Sequence, residues 1–208
     1  MRIRILTIKV LAPVCALGLA VAASAQNLVL NPNFTVGGSP SGDNWSYNAQ
    51  GMYFYQENTL GANIASFGWN NGYGLWQNTT ATIQPGASYA LDVTAQVGQA
   101  PMTGLNLSFQ DVTTGWALLD NANYTFASQS SGPGQWETFE LDVPASLLAA
   151  NVGDTIGVGI QMYENPSSQQ GWVWMDSVSL AVVPEPSSLA LLAMGGLGAV
   201  VVFRRRKE

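Results

Sequence analysis

The chain has 208 residues, and its charges are separated along its length. All seven basic residues lie at the two ends, whereas residues 26–183 hold eleven of the thirteen acidic residues and no Lys, Arg or His, a net charge of −11. Affinity for nucleic acid depends on Lys and Arg replacing phosphate counterions, so this composition excludes a nucleic-acid partner. Without His or Lys, and with the lone Cys15 near the N-terminus, the stretch also lacks the groups for Ser-His-Asp catalysis, imidazole-bound zinc and Schiff-base chemistry.

Residues 1–25 have the pattern of a secretory signal. Basic residues come first, an apolar run follows over 10–23, and Ala23, Ser24 and Ala25 provide the small residues of a cleavage position. We therefore predict an N-terminal signal helix that signal peptidase removes after Ala25. The mature, exported chain then begins at Gln26.

Residues 26–183 are predicted to form one all-β domain. Apolar and polar residues alternate over 87–97, 105–109, 139–143 and 156–162, as they do in half-buried strands. Further strands are predicted at 28–30, 52–56, 74–83, 123–127 and 172–182, with a single short helical turn at 145–150. Eight or nine strands without long helices indicate an antiparallel β-sandwich of the jelly-roll type.

Short motifs along this domain resemble a known fold family. The first covers residues 27–34, another is Gly134, Gln135 and Trp136, and a third covers residues 174–180. Together they resemble the galactose-binding-domain-like jelly rolls, especially carbohydrate-binding modules attached to plant-polysaccharide hydrolases. The resemblance implies the sandwich fold, but one fold hosts many functions, so it does not by itself imply sugar binding.

Aromatic residues in the predicted loops are the candidate sugar contacts. The apolar faces of sugar rings stack on flat side chains, while Asn, Gln and Asp bind the hydroxyl groups. On this basis the predicted carbohydrate-binding residues are Trp69, Tyr73, Trp116 and Trp172. The alternative is that these side chains cap the sandwich, and the remaining tryptophans (Trp45, Trp76, Trp136 and Trp174) are assigned to its core or rim.

Two glycines could also shape a binding face. Gly157 and Gly159 are predicted to point outward from one strand. They either leave space for a ligand or mark the close packing of a neighbouring strand.

Asp176 is a candidate metal ligand. Simple alternation places it on the core face of the last strand with Trp174, Val178 and Leu180, and a buried carboxylate needs a partner. The resemblance implies a structural Ca²⁺ held by Asp176 and by oxygens near Asn33, although the family often has an acid where this chain has Thr35. The alternative is a β-bulge that turns Asp176 outward.

The C-terminal end carries three ordered features. Val183, Pro184, Glu185 and Pro186 precede fifteen uncharged, mostly apolar residues at 189–203, and a basic cluster follows. The cluster consists of Arg204, Arg205, Arg206 and Lys207. Such a cluster holds this end on the cytoplasmic side of the membrane.

Residues 184–208 resemble the PEP-CTERM sorting signal of Gram-negative bacteria. The resemblance implies a C-terminal transmembrane helix, recognition by an exosortase-type membrane enzyme and transient anchoring in the inner membrane. Removal of the tail and delivery to the cell surface or extracellular matrix would follow. A plain single-span anchor is the alternative.

The sequence therefore favours a non-catalytic exported surface protein that binds a neutral polysaccharide. A structural acidic matrix protein without a small ligand is one alternative. A glycoside hydrolase that uses Glu137, Glu140 and Asp142 is another, but paired carboxylates need a cleft and separated pKa values to act in that way.

Overall fold

The computed structural model describes residues 26–36, 39–47, 52–57, 62–68, 73–99, 104–128, 135–163 and 171–183. The predicted signal helix, the predicted membrane helix, Trp69, the motif residues Pro184, Glu185 and Pro186, and the basic cluster all lie outside these residues. Within the described ranges, no helix has the length and apolar character that a membrane span requires.

The described residues are almost entirely strands. In chain order these are β1 (Thr35–Val36), β2 (Ser39–Pro40), β3 (Ser46–Tyr47), β4 (Tyr53–Glu57), β5 (Ala62–Gly68), β6 (Gly74–Thr82), β7 (Ser88–Gln99), β8 (Gly104–Asp111), β9 (Ala117–Thr125), β10 (Glu137–Val143), β11 (Thr155–Tyr163) and β12 (Trp172–Val183). A short helix, α1 (Ala145–Leu148), and a 3-10 turn (Ala149–Asn151) connect β10 to β11.

The strands form two five-stranded antiparallel sheets. The β12 sheet has the order β10-β7-β12-β5-β4, and the β11 sheet has the order β3-β6-β11-β8-β9, while β1 and β2 pair separately. This arrangement confirms the predicted antiparallel β-sandwich. The predicted alternation of β7, β8, β10 and β11 is confirmed as well, because their apolar residues are buried in one core.

The core lies between the inner faces of the two sheets. Leu91 and Val93 of β7 are fully buried on one side, and Leu107, Phe109 and Val158 are fully buried on the other. Burial of each such side chain stabilises the fold by about 1.5–3 kcal/mol. Because both sheets share this core, the outer face of each sheet is held at a fixed position by the other sheet.

The N-terminal segment is fastened to the sandwich by side-chain amides. The Asn27 side chain accepts hydrogen bonds from the Leu180 and Val29 amides and donates one to the Val178 carbonyl, each at 3.0 Å. The buried Gln77 side chain binds both the amide and the carbonyl of Leu30 at 2.7 Å. Since these bonds take the place of a strand ladder, residues 28–30 lie along β12 without forming the predicted regular strand.

The prediction that Asp176 lies on the core face is wrong. The ladder between β12 and β7 shifts register between Met175 and Ser177, so Asp176 is the extra residue of a β-bulge. The buried side chains are therefore Val173 and Met175 before the bulge and Val178 and Leu180 after it, whereas Trp174 and Asp176 are half-exposed. The alternative of an outward-turned Asp176 is confirmed.

Candidate functional site

Two tryptophans lie against glycines on the outer face of the β11 sheet. A Cβ atom at Gly157 would lie 2.8 Å from Cζ3 of Trp116, and one at Gly159 would lie 2.9 Å from Cδ1 of Trp76. Either distance is too short for a real side chain, so the two glycines make room for the two indoles and for the neighbouring Val112 and Ser108 side chains. We call this surface, with Trp76, Trp116, Gly157 and Gly159, the indole face.

The backbone at Trp116 is held in an unusual conformation. Trp116 has φ 67° and follows Gly115 at φ 88°, and a non-glycine residue in this region is strained by roughly 1–2 kcal/mol. Despite its size the side chain is 40 % exposed. Strained backbone is found more often at functional sites than elsewhere, which makes the exposed Trp116 a candidate binding residue.

The buried Asp111 carboxylate builds the turn that presents Trp116. It accepts hydrogen bonds from the Thr114 amide (3.2 Å), the Thr114 hydroxyl (2.6 Å) and the Asn151 side chain (3.3 Å). Burial acts to raise the pKa of Asp111, but the hydrogen bonds from Thr114, Thr113 and Asn151 outweigh it and lower the pKa. Asp111 is therefore ionised at neutral pH and holds the turn closed.

Neutral polar side chains share the outer face of the β11 sheet with the two indoles. Asn106 donates to Asn123 at 2.7 Å, and Gln110 donates to Ser108 at 2.9 Å. The strand register places these residues on the same face as Gly157 and Gly159. Among the described positions of this face there is no carboxylate, so it offers stacking surfaces and amide hydrogen bonds to an uncharged ligand.

A second aromatic cluster lies on the outer face of the β12 sheet. Tyr53, Tyr55, Ser66, Gly98, Trp172 and Trp174 line an open groove of about 270 Å³. We call it the aromatic groove. The rings of Tyr53 and Trp172 are 5.8 Å apart, and a side chain at Gly98 would overlap the indole of Trp174. Here too a glycine allows an indole to lie close to the neighbouring strand.

Gln96 lies beside this groove on β7, two residues from Gly98, and its Cα pairs with that of Trp174. Its side chain is fully buried, and neither its amide nitrogen nor its oxygen has a hydrogen-bond partner among the described residues. An unsatisfied buried polar group costs about 1–3 kcal/mol, so a natural protein seldom retains one without a use.

Three carboxylates share the far end of the same face. Asp92 of β7 lies directly opposite Glu140 of β10, with Asp142 two residues along. Partial burial and the charge of Asp142 raise the pKa of Asp92, and the charges of Asp142 and Asp92 raise the pKa of Glu140. The carboxylates therefore repel one another, and residues 26–183 contain no cation to neutralise them.

The four predicted sugar contacts do not form one site. Trp116 lies on the indole face, whereas Trp172 lies in the aromatic groove on the opposite sheet. Tyr73 is half-buried and packs against the core, which fits the capping alternative for this residue. The structure brings Trp116 together with Trp76, and Trp172 with Trp174 and Tyr53.

Residues of both sites were missed by sequence reasoning. The sequence assigns Trp174 to the core or rim, and alternation continued back from Leu180 through Asp176 turns it inward, whereas the bulge places it in the groove with Trp172. Tyr53 and Tyr55 reach the groove only because β4 pairs with β5 and β5 with β12. No local pattern reveals that order of strands.

The segment that contains Asn33 is hydrogen-bonded to β12 close to Asp176. The Pro32 carbonyl, next to Asn33, accepts the Val178 amide at 2.9 Å, two residues from Asp176. Partial burial raises the pKa of Asp176, and a hydrogen bond with Ser177 opposes that shift. Within the described residues no three acidic, His or Cys side chains gather as a metal site, so calcium stays a prediction that would depend on amide and carbonyl oxygens as further ligands.

Comparison with known proteins identifies the C-terminal end. A family model described as the PEP-CTERM protein-sorting motif matches residues 182–207. The chain therefore carries a PEP-CTERM sorting motif, which implies export, transient membrane anchoring and processing by an exosortase-type enzyme. A search of curated proteins found no match to the sequence.

Solved structures resemble the domain in fold. The Stig cyclase Fisc from Fischerella sp. TAU has 15 % identity and a TM-score of 0.55 over 75 % of this chain and 96 % of that chain. A provisionally described sugar-binding protein from Bacteroides thetaiotaomicron has 16 % identity and a TM-score of 0.51 over 76 % and 100 %. The CBM22-2 xylan-binding domain of Paenibacillus barcinonensis Xyn10C has 16 % identity and a TM-score of 0.47 over 73 % and 98 %. The first two structures have TM-scores above 0.5, and at identities this low they establish the fold alone.

Proposed function

We propose that this protein is an exported, non-catalytic surface or matrix protein that binds a neutral polysaccharide through the indole face. The observation that carries the proposal is the placement of Trp116. Its ring is exposed, lies against Gly157 and is held by a strained turn that a buried carboxylate closes. Such a preorganised ring binds a sugar face without first losing conformational freedom.

The neutrality of the indole face supports an uncharged ligand. Amide groups of Asn106, Asn123 and Gln110 lie on the same sheet face as the two rings and can exchange hydrogen bonds with sugar hydroxyls. The sorting motif supports an extracellular place of action, and removal of the tail then leaves the domain at the cell surface or in the matrix. There it would contact polysaccharide continuously.

The placement of the carboxylates supports a binding role over hydrolysis. Glu137 binds the Ala127 and Ser128 amides, so it is occupied in a loop contact. Glu140 and Asp142 are exposed on an open sheet face. A glycosidase needs two carboxyl groups that flank a scissile bond in a cleft, with pKa values driven apart.

Affinity electrophoresis in gels containing neutral glucan or xylan tests the proposal. We expect the wild-type chain to be retarded, and Trp116→Ala and Trp76→Ala to raise the dissociation constant by more than about tenfold, as loss of an anchoring ring does. Leu147→Ala, an exposed apolar residue on α1, is the matched control and should migrate like wild type. Unretarded wild type in every gel, or unchanged retardation of Trp116→Ala, would overturn the proposal.

A structural acidic matrix protein without a small ligand is the second candidate. The mutual repulsion of Asp92, Glu140 and Asp142 favours it, because an unneutralised acidic surface keeps a protein soluble and attracts cations. This candidate predicts that a strain lacking the protein has a defect at its cell surface. It also predicts that the protein is not retarded in any of the polysaccharide gels.

A further inference from the structure

The outer face of the β12 sheet has an apolar end and an anionic end. The aromatic groove occupies the end formed by β4, β5, β12 and β7, where Tyr53 and Trp172 leave ring surface exposed. The carboxylates of Asp92, Glu140 and Asp142 occupy the end formed by β7 and β10. A ligand that covers both ends needs flat apolar faces and positive charge.

Neutral polar side chains connect the two ends. Along β7 the outward residues after Gly98 are Gln96, Thr94 and Asp92, and the Thr94 hydroxyl lies 3.2 Å from that of Thr138 on β10. The buried Gln96 amide brings both a donor and an acceptor without a partner among the described residues. Because Gln96 has no exposed surface, a ligand along this row satisfies both groups only after a covering side chain moves aside.

The distance between the two ends excludes a single sugar. Gly98 and Asp92 are six positions apart on one strand, which is about 20 Å at the rise of a β-strand. One pyranose ring is much shorter, so a ligand that contacts both ends is a chain of several units.

The charge of the protein selects among such chains. Residues 26–183 contain no Lys, Arg or His, so neither a sulfated nor a uronic-acid polymer finds a cation there. A chain that carries ammonium groups would place them against carboxylates that now repel one another.

We infer that the outer face of the β12 sheet is a second binding site, for a polysaccharide that carries protonated amino groups. Sugar rings stack in the aromatic groove, and ammonium groups pair with Asp92, Glu140 and Asp142. Ring hydroxyls bind the Gln96 amide, with the Trp174 side chain turning to admit them. The inference rests on the proposed function only in taking the protein to be an extracellular polysaccharide binder. Because the indole face lies on the opposite sheet, a domain with both sites is bivalent.

Calorimetry with two matched oligomers tests the ligand class. The full chain, purified in detergent, is titrated with an oligomer of glucosamine and with an N-acetylglucosamine oligomer of the same length. We expect the glucosamine oligomer to bind about tenfold tighter at low salt. The preference should nearly vanish at about 1 M salt, where the screening length falls to about 3 Å. Equal binding of the two oligomers at low salt would overturn the inference.

Variants separate the site from the overall charge. Asp92→Asn with Glu140→Gln should remove the preference, whereas Asp43→Asn with Asp154→Asn changes the net charge equally and should leave it intact. Trp174→Ala should weaken binding of both oligomers, and Trp116→Ala should weaken neither. If the Asp43 and Asp154 pair lowers the preference as much as the Asp92 and Glu140 pair, the attraction belongs to net charge and the inference is wrong.

Gln96→Leu distinguishes a binding role from a structural one. Removing an unsatisfied buried amide should raise the melting temperature, and it should also weaken both oligomers several-fold because the ring hydroxyls lose their partner. Unchanged affinity in a stabilised variant would contradict a binding role for Gln96. Failure of the neutral-glucan experiment with Trp116→Ala concerns only the indole face, so the two proposals can fail independently.

Discussion

The two outer faces of the sandwich use the same packing device for different surfaces. On the β11 sheet, Gly157 and Gly159 make room for the indoles of Trp116 and Trp76, and on the β12 sheet Gly98 makes room for Trp174. Amides share the face of Trp116 and Trp76, whereas carboxylates share the face of Trp174. Glycine therefore sets where an aromatic platform can lie, and the outward polar residues of the same strands set which ligand it suits.

The largest expected effect on stability comes from a substitution in the core that the two sheets share. Phe109→Ala removes a fully buried ring 5.4 Å from that of Tyr89 and should lower the free energy of unfolding by about 3–5 kcal/mol. Urea denaturation followed by tryptophan fluorescence should give one transition, because both faces depend on this core. The exposed Leu118→Ala should change stability by less than about 0.5 kcal/mol. Two separate transitions would mean that the faces do not share a core.

The second-largest effect is expected at Asp111, whose loss should impair binding at the indole face and leave the outer face of the β12 sheet unaffected. Asp111→Ala leaves Thr114 and Asn151 without their acceptor and should cost about 1–2 kcal/mol. Neutral-glucan binding should fall with it because the Trp116 turn loosens, while the glucosamine oligomer should bind as before. Asp43→Ala, at an exposed acidic residue outside this hydrogen-bond network, is the matched acidic control. Loss of both ligands together would show a general defect in folding.

Acid should remove the contribution of Asp111. Because its folded pKa is lowered, its stabilisation is fully present above the unfolded value of 3.8 and is lost as the pH falls through the folded value. The Ala variant should lack this acid-sensitive part in a pH series of urea melts. If wild type and Asp111→Ala lose stability equally as the pH falls, the ionised Asp111 carboxylate does not stabilise the fold through its hydrogen bonds.

Calcium should have a smaller effect, confined to the β12 bulge. If Asp176 and oxygens near Asn33 bind the ion, calcium at about ten times its dissociation constant stabilises the fold by about 1.4 kcal/mol. Asp176→Asn should abolish that gain, and Asp43→Asn should retain it. Superimposable melting curves with calcium and with chelator would remove the metal from this account.

The smallest expected effect concerns repulsion on the acidic end. Asp142→Asn should raise the melting temperature slightly, because it relieves Asp92 and Glu140 of a like charge. The pKa values of Asp92 and Glu140 are raised in the folded protein, so the loss of stability from repulsion is complete at a pH above the folded pKa values. It disappears as the pH falls below the ordinary values of 3.8 and 4.5. Thermal melts should therefore differ at neutral pH and converge in acid. A destabilised variant would show that Asp142 is not repelled.

Strand alternation could be read from the sequence wherever one face of a strand is buried without interruption. It gave the facing of β7, β10 and β11 correctly, but it failed in β12, where one extra residue at Asp176 reverses which residues face the core. A bulge depends on the partner strand, so the sequence of β12 alone could not place it. The strand β5 was missed because Ala62, Asn63 and Ser66 lack a clear alternation.

The candidate sites were predicted only in part, because pairing between distant strands cannot be read from local sequence. Trp116 was found from its neighbouring glycine and Trp172 from its loop, yet neither prediction showed that the two residues lie on opposite sheets. Which aromatic rings meet is decided by the order of strands, as for Tyr53 and Trp172 across β4, β5 and β12. Such contacts form between residues more than a hundred positions apart, so no local pattern contains them.

The most direct test of the central claim is the nuclear magnetic resonance of the tryptophan indole N–H groups during titration. A neutral oligosaccharide should shift the signals of Trp76 and Trp116, and a glucosamine oligomer should shift those of Trp172 and Trp174. Trp45, whose indole nitrogen donates to the Asn31 carbonyl at 3.2 Å, should remain unchanged as an internal reference. Neutral sugar that leaves the Trp76 and Trp116 signals in place would contradict the assignment of the indole face as the polysaccharide site.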